Sequence, residues 1–172
     1  MKLVNKFWNW YERNETFNVG VASLLFTLQI VHLYWLTTSV MAFKLFGKSF
    51  FNPSDFFEII ILIVDYLEIP AIATTTLLYL NELRKRANVR SLLFLFFINS
   101  QWLHILWITD EYVIEHLTNH SATTLLPVWI AWIAILIDYL ELPVILDTLK
   151  KFTHSLKKEG VLPALERLKE NN

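Results

Sequence analysis

Four long apolar runs alternate with short polar blocks along this chain, at about residues 19–46, 56–80, 91–113 and 126–149. Each run holds about twenty residues or more, the length a helix needs to cross the hydrocarbon layer of a membrane. Gly47, Asn52, Pro53 and Ser54 mark a loop between the first two runs, and Ser54 or Asp55 offers a cap for the second helix. Ahead of the first run, Lys2, Lys6 and Arg13 mix with Phe7, Trp8, Trp10 and Tyr11. That mixture suits the headgroup layer, so residues 1–18 read as an interfacial segment. After the fourth run come Lys150, Lys151, Lys157 and Lys158, and Pro163 opens a short amphipathic helix with Leu165 and Leu168 on one side.

The polar blocks differ in sign. Arg84, Lys85, Arg86 and Arg90 stand against Glu82 alone in the middle connection, whereas Asp110, Glu111 and Glu115 occupy a loop without Lys or Arg. Basic residues mark the cytoplasmic side, which puts both termini and the middle connection there, with Lys44 and Lys48 a mild exception. The expected fold is therefore an all-α integral membrane protein, a four-transmembrane-helix bundle. Its parts are an interfacial segment (1–18), a first transmembrane hairpin (19–80), a basic cytoplasmic connection (81–90), a second hairpin (91–149) and a cytoplasmic tail (150–172).

Composition agrees with that class. Of the 172 residues 55% are hydrophobic and only 18% charged, and the mean hydropathy is +0.41, all unusual for a soluble domain. The length allows one domain or one small bundle. A formal net charge of -1 gives no reason to expect nucleic acid. The expected partners are membrane lipids, with other membrane subunits or a homodimer partner beside them. With no cysteine, disulfides, iron–sulfur clusters and thiolate zinc or copper sites are excluded. Two methionines argue against a methionine-rich copper pathway. No cleaved signal peptide is expected, because polar and aromatic residues precede the first run and no small-x-small site is evident.

Two motifs recur in the same order. Gln29, His32, Trp35 and Thr37 form Q-x-x-H-x-x-W-x-T, which Gln101, His104, Trp107 and Thr109 repeat. Asp65-Tyr66-Leu67-Glu68-Ile69-Pro70 returns as Asp138-Tyr139-Leu140-Glu141-Leu142-Pro143. The chain thus reads as two tandem parallel-repeat hairpins with pseudo-twofold symmetry about an axis along the membrane normal.

Spacing places chemistry on these repeats. Residues three apart share a helix face, so Asp65 with Glu68, Asp138 with Glu141, and each Gln-His-Trp series form polar stripes. His32, Asp65, His104 and Asp138 lie at similar depths, within a few ångströms at a rise of about 1.5 Å per residue. One central Asp costs roughly 2.5–3.5 kcal/mol, so four unpaired carboxylates would cost roughly 10 kcal/mol. No Lys or Arg lies in the middle of any run to offset that cost. Protons or metal ions must do so. Two divalent ions held by His32, Asp65, Glu68, His104, Asp138 and Glu141 satisfy the charge. A cluster of protonated, hydrogen-bonded acids is the alternative.

This inventory resembles the carboxylate-bridged dinuclear class of four-helix bundles, which uses four carboxylates and two histidines. In that class each histidine follows a glutamate on the same helix, whereas here the histidines and acids lie on different runs. The resemblance implies ligand types and bundle architecture, and no reaction. Oxygen-rich ligands with two imidazoles suit iron best, with zinc or manganese next, and do not suit Cu(I). Haem b between His32 and His104 is a lesser option that leaves the acids unexplained. Gln29 and Gln101 are expected to fix the imidazole tautomers, and Tyr66 and Tyr139 to hydrogen-bond the carboxylates. Pro70 and Pro143 should loosen each helix just past its acidic pair. Glu115, His116 and His120 form a weaker cation-binding pattern, for which a solvated loop is the simpler account.

Three functions follow as expectations. The first is oxidoreductase chemistry, with oxygen activation on a lipid-soluble substrate. The second is a proton or divalent-cation transporter using the same residues. The third is an accessory subunit of a larger membrane oxidoreductase, stapled by metal. Catalytic residues are not identified by sequence.

Overall fold

The computed structural model describes residues 2–110 and 127–159, which among themselves are almost wholly helical and contain no strand. Glu111, Glu115, His116 and His120 of the acidic loop, and the Pro163 segment of the tail, lie outside the described residues.

The N-terminal segment is helix α1 (Lys2–Arg13). Its Leu3, Val4, Phe7 and Trp10 are exposed, while Arg84 at the far end of the second run reaches Glu12 and stacks over the Trp8 ring at 4.9 Å. Helix α2 (Glu15–Trp35) continues through a wide π-helical stretch (Leu36–Met41) into α3 (Ala42–Phe46). Gly47 ends it with φ of 67° while its N–H bonds the Phe43 carbonyl at 2.9 Å, a left-handed cap that a side chain would strain.

The second run is broken at Leu67 into α4 (Asp55–Tyr66) and α5 (Glu68–Lys85). Ser54 takes the cap position of α4, but its side chain makes no capping bond. The third run is one helix, α6 (Val89–Ile108), capped by the Asn88 side chain accepting from the Arg90 N–H at 3.0 Å. The fourth repeats the break of the second, with α7 (Val128–Asp138) and α8 (Glu141–Glu159). Each proline is the third residue of its lower helix, in the first turn, where its missing N–H costs nothing. The breaks at Leu67 and at Tyr139–Leu140 thus fall inside the D-x-x-E pairs, not beyond them as the prolines alone imply. Asp65 ends one helix and Glu68 begins the next.

Helix α2 packs against α5, α8 and α4, and α6 packs against α5, α7 and α8. The α2–α8 approach is close at Gly20, where a Cβ would stand 2.8 Å from the Phe152 ring. Buried apolar residues form two layers. One comprises Phe26, Leu33, Ala71, Ile72, Tyr79, Phe94, Ile98, Val144 and Ile145. The other comprises Trp35, Leu36, Val40, Ile61, Trp107, Ile108, Ala131, Ala134 and Ile135. Asp65, Glu68, His104, Asp138 and Glu141 fall between these layers along their runs, and His32 sits beside Leu33 at the edge of the first.

The outer surface is apolar too, with Leu24, Val31, Phe57, Ile63, Phe96, Leu106, Trp129 and Leu136 exposed. Apolar surface on that scale belongs against lipid or another apolar partner. Three helical stretches, Glu15–Phe46, Val89–Ile108 and Trp129–Lys158, are long and apolar enough to cross a membrane. These features support an integral membrane protein.

Candidate metal centre

All six predicted ligands meet in the interior, each between 1% and 5% exposed. His32 Nδ1 touches Asp65 Oδ1, and its Nε2 lies 3.2 Å from Asp138 Oδ2. His104 Nε2 lies 3.8 Å from the other oxygen of Asp138. The two imidazoles face edge to face, with ring centroids 5.1 Å apart and planes at 75°. Behind them Trp35 and Trp107 pack at the same 5.6 Å, each on its own histidine.

Two sets of donors emerge. His32, His104 and Asp138 bring three ligand atoms within 4.8 Å of one another, and Glu68, Asp138 and Glu141 do the same. Donors around one ion at about 2.0–2.2 Å stand at most about 4.4 Å apart, a spacing comparable to that limit. Asp138 belongs to both triads. A carboxylate shared in this way is what bridging two ions requires. Asp65 belongs to neither and instead contacts His32, an asymmetry that the repeated motif does not reveal.

The local chain explains the glutamates. Glu68 and Glu141 are the first residues of α5 and α8, where free N–H groups and the helix dipole favour a negative charge. Even so, as carboxylates Glu68 Oε1 and both Glu141 oxygens find no donor, nor does Gln101 Oε1, and the two glutamates, within hydrogen-bond reach of each other, could pair only by sharing a proton. Buried carboxylate oxygens without donors are costly. The sequence holds no Lys or Arg between Arg13 and Lys44, between Lys48 and Arg84, or between Arg90 and Lys150. The residues therefore fit a bound cation. Two neutral imidazoles and four carboxylates are the hard and borderline donors that iron, manganese and zinc accept.

The supporting residues differ from expectation. Gln29 Nε2 donates to the Val64 carbonyl and Gln101 Nε2 to the Ile137 carbonyl, both at 3.0 Å. Each glutamine thus holds the backbone one residue before the acid, at the helix break, and does not set an imidazole tautomer. Tyr66 hydrogen-bonds Thr109 at 2.8 Å, and Tyr139 hydrogen-bonds Thr37 at 2.6 Å. The tyrosines therefore latch one copy of the repeat to the other and leave the carboxylates alone, since position i+1 points away from the acidic face. Thr37 and Thr109 close the repeated motif, so their recurrence was the available signal for this role. The haem option fails on space: imidazoles 5.1 Å apart, both contacting Asp138, leave no slab for a porphyrin.

Asp65, Tyr66, Glu68, His104, Ile105 and Ile108 line a packing gap beside this centre that is too narrow to admit a water molecule. No family model, characterised protein or solved structure matches the chain.

Proposed function

We propose that this protein is a four-span membrane metalloprotein built from two hairpin repeats, holding two divalent ions between His32, Asp65, Glu68, His104, Asp138 and Glu141. The observation that carries the reading is Asp138 shared by two buried donor triads, beside carboxylate oxygens that no side chain neutralises. The repeat is supported by matched hydrogen bonds, Gln29–Val64 with Gln101–Ile137 and Tyr66–Thr109 with Thr37–Tyr139. Both termini lie in the cytoplasm by the basic bias of the connections.

The activity we propose is oxidoreduction of a lipid-soluble substrate, with iron as the resident metal. A redox metal held in this donor set would supply electron transfer and oxygen activation. The protein's own residues exclude water through the two apolar layers and keep the imidazoles oriented against Trp35 and Trp107. Elemental analysis of protein purified in detergent, beside an Asp65→Ala/Asp138→Ala variant, tests the proposal. About two iron per chain, lost in the variant, is the expected result. Zinc alone removes the redox activity and leaves a metal staple. A metal-free protein that carries protons or divalent ions across liposomes overturns the proposal.

A further inference from the structure

A second polar region lies at the basic end of the helices, where α2, α5, α6 and α8 surround a cavity of about 480 Å³. Its walls include Glu15, Glu82, Arg90, Asp147, Lys150, Lys151, His154 and Lys158. That volume lies within the roughly 300–1,000 Å³ of small-molecule sites. An adjoining cavity of about 340 Å³ shares Glu82, Arg90, Asp147 and Lys151 and adds Lys85 and Arg86.

The acids of this region are spent on internal partners. Asp147 Oδ1 accepts from Arg90 at 2.6 Å, and its Oδ2 takes Lys151 at 2.6 Å and the Tyr79 hydroxyl at 3.0 Å. Glu82 takes Lys151 at 2.6 Å and the Ser91 hydroxyl at 2.7 Å. Glu15 is met by Lys85 at 3.4 Å. These contacts hold Arg90 and Lys151 in fixed positions at the cavity wall. Lys150, His154 and Lys158 sit along α8 beside them with no acid partner among the described residues. Across the two cavities six Lys and Arg side chains face three carboxylates, so the space carries an excess of positive charge.

We infer that this cavity binds a phosphate-bearing anion, with Lys150 and Lys158 as the mobile contacts and Arg90 and Lys151 as the fixed ones. Basic pockets between helices at a membrane surface take anionic headgroups by this chemistry, and a free phosphate compound offers the same group. The inference does not depend on the metal centre.

The test uses the full chain in neutral detergent, with phosphatidylglycerol, phosphatidylcholine and inorganic phosphate as probes, read by native mass spectrometry and thermal unfolding. Retention of phosphatidylglycerol over phosphatidylcholine, with no response to millimolar phosphate, assigns the site to lipid. Stabilisation by inorganic phosphate, which also displaces phosphatidylglycerol, assigns it to a free anion. In either case Lys150→Gln/Lys158→Gln should weaken binding about 30-fold, and His154→Gln less. Lys2→Gln/Lys6→Gln removes equal charge at the same end outside the cavity and should change binding less than about twofold. Equal loss in the two double variants, or no preference for phosphatidylglycerol over phosphatidylcholine together with no response to inorganic phosphate, overturns the inference. All the substituted side chains are exposed, so helicity by circular dichroism should be unchanged.

Discussion

The middle of this protein and its basic end both bury carboxylates, and they treat them oppositely. At the basic end each oxygen of Asp147 and Glu82 meets a cation or a hydroxyl of the protein. In the middle, Glu68 and Glu141 as carboxylates present oxygens with no donor, and they cluster with each other and with Asp138. One region satisfies its acids from within and keeps cations to spare. The other leaves negative charge in a dry layer, which favours a cation from outside. The contrast separates carboxylates that the protein itself satisfies from carboxylates that are candidates for holding a cation.

Removing the shared carboxylate is the strongest way to break that contrast. Asp138→Asn should cut bound metal about tenfold or more, because both triads lose a donor. Asp65→Asn should lower it less, since Asp65 stands outside both. Equal losses, measured by elemental analysis, would remove the asymmetry. The basic end should respond in stability and not in metal. Asp147→Asn strips two cations and a hydroxyl of their acceptor and should cost about 2 kcal/mol, with metal content unchanged. Unfolding in mixed micelles checks this.

Glu141→Gln should act in opposite directions in two states. It should weaken metal binding, yet raise the melting temperature of chelator-stripped protein, because an uncharged amide replaces a buried unpaired charge. A stripped variant that melts lower than stripped wild type would show that the protein satisfies Glu141 unaided. The smallest change is expected at the latches. Tyr66→Phe or Tyr139→Phe should cost about 1 kcal/mol and leave metal content untouched. Metal loss in either would restore a tyrosine contact with the carboxylates.

The polar candidates were legible because their cost was. Four acids and two histidines inside apolar runs, at one depth and without Lys or Arg, cannot face lipid, so their convergence follows from solvation alone. The break between Asp65 and Glu68 was not legible. Pro70 indicates only that a helix weakens nearby, and the Gln29 amide on the Val64 carbonyl marks the position. The Asp147 cluster is not written in the sequence, because its partners, Tyr79, Arg90 and Lys151, come from three helices. Only the pair Asp147–Lys151 has a helical spacing that hints at contact.

Hydrophobic patterning by itself determined that the chain is helical, that its surface is suited to a membrane, and which six side chains form the polar centre. Those outcomes depend on the solvation of single residues and the period of a helix, both written along one dimension. The tertiary structure alone decided which carboxylate is shared, which tyrosine meets which threonine, and where the basic cavity opens. Two copies of one motif are equivalent as strings. They become inequivalent once packed, because a side chain between facing helices can bridge two neighbours while its repeat partner is already held by one.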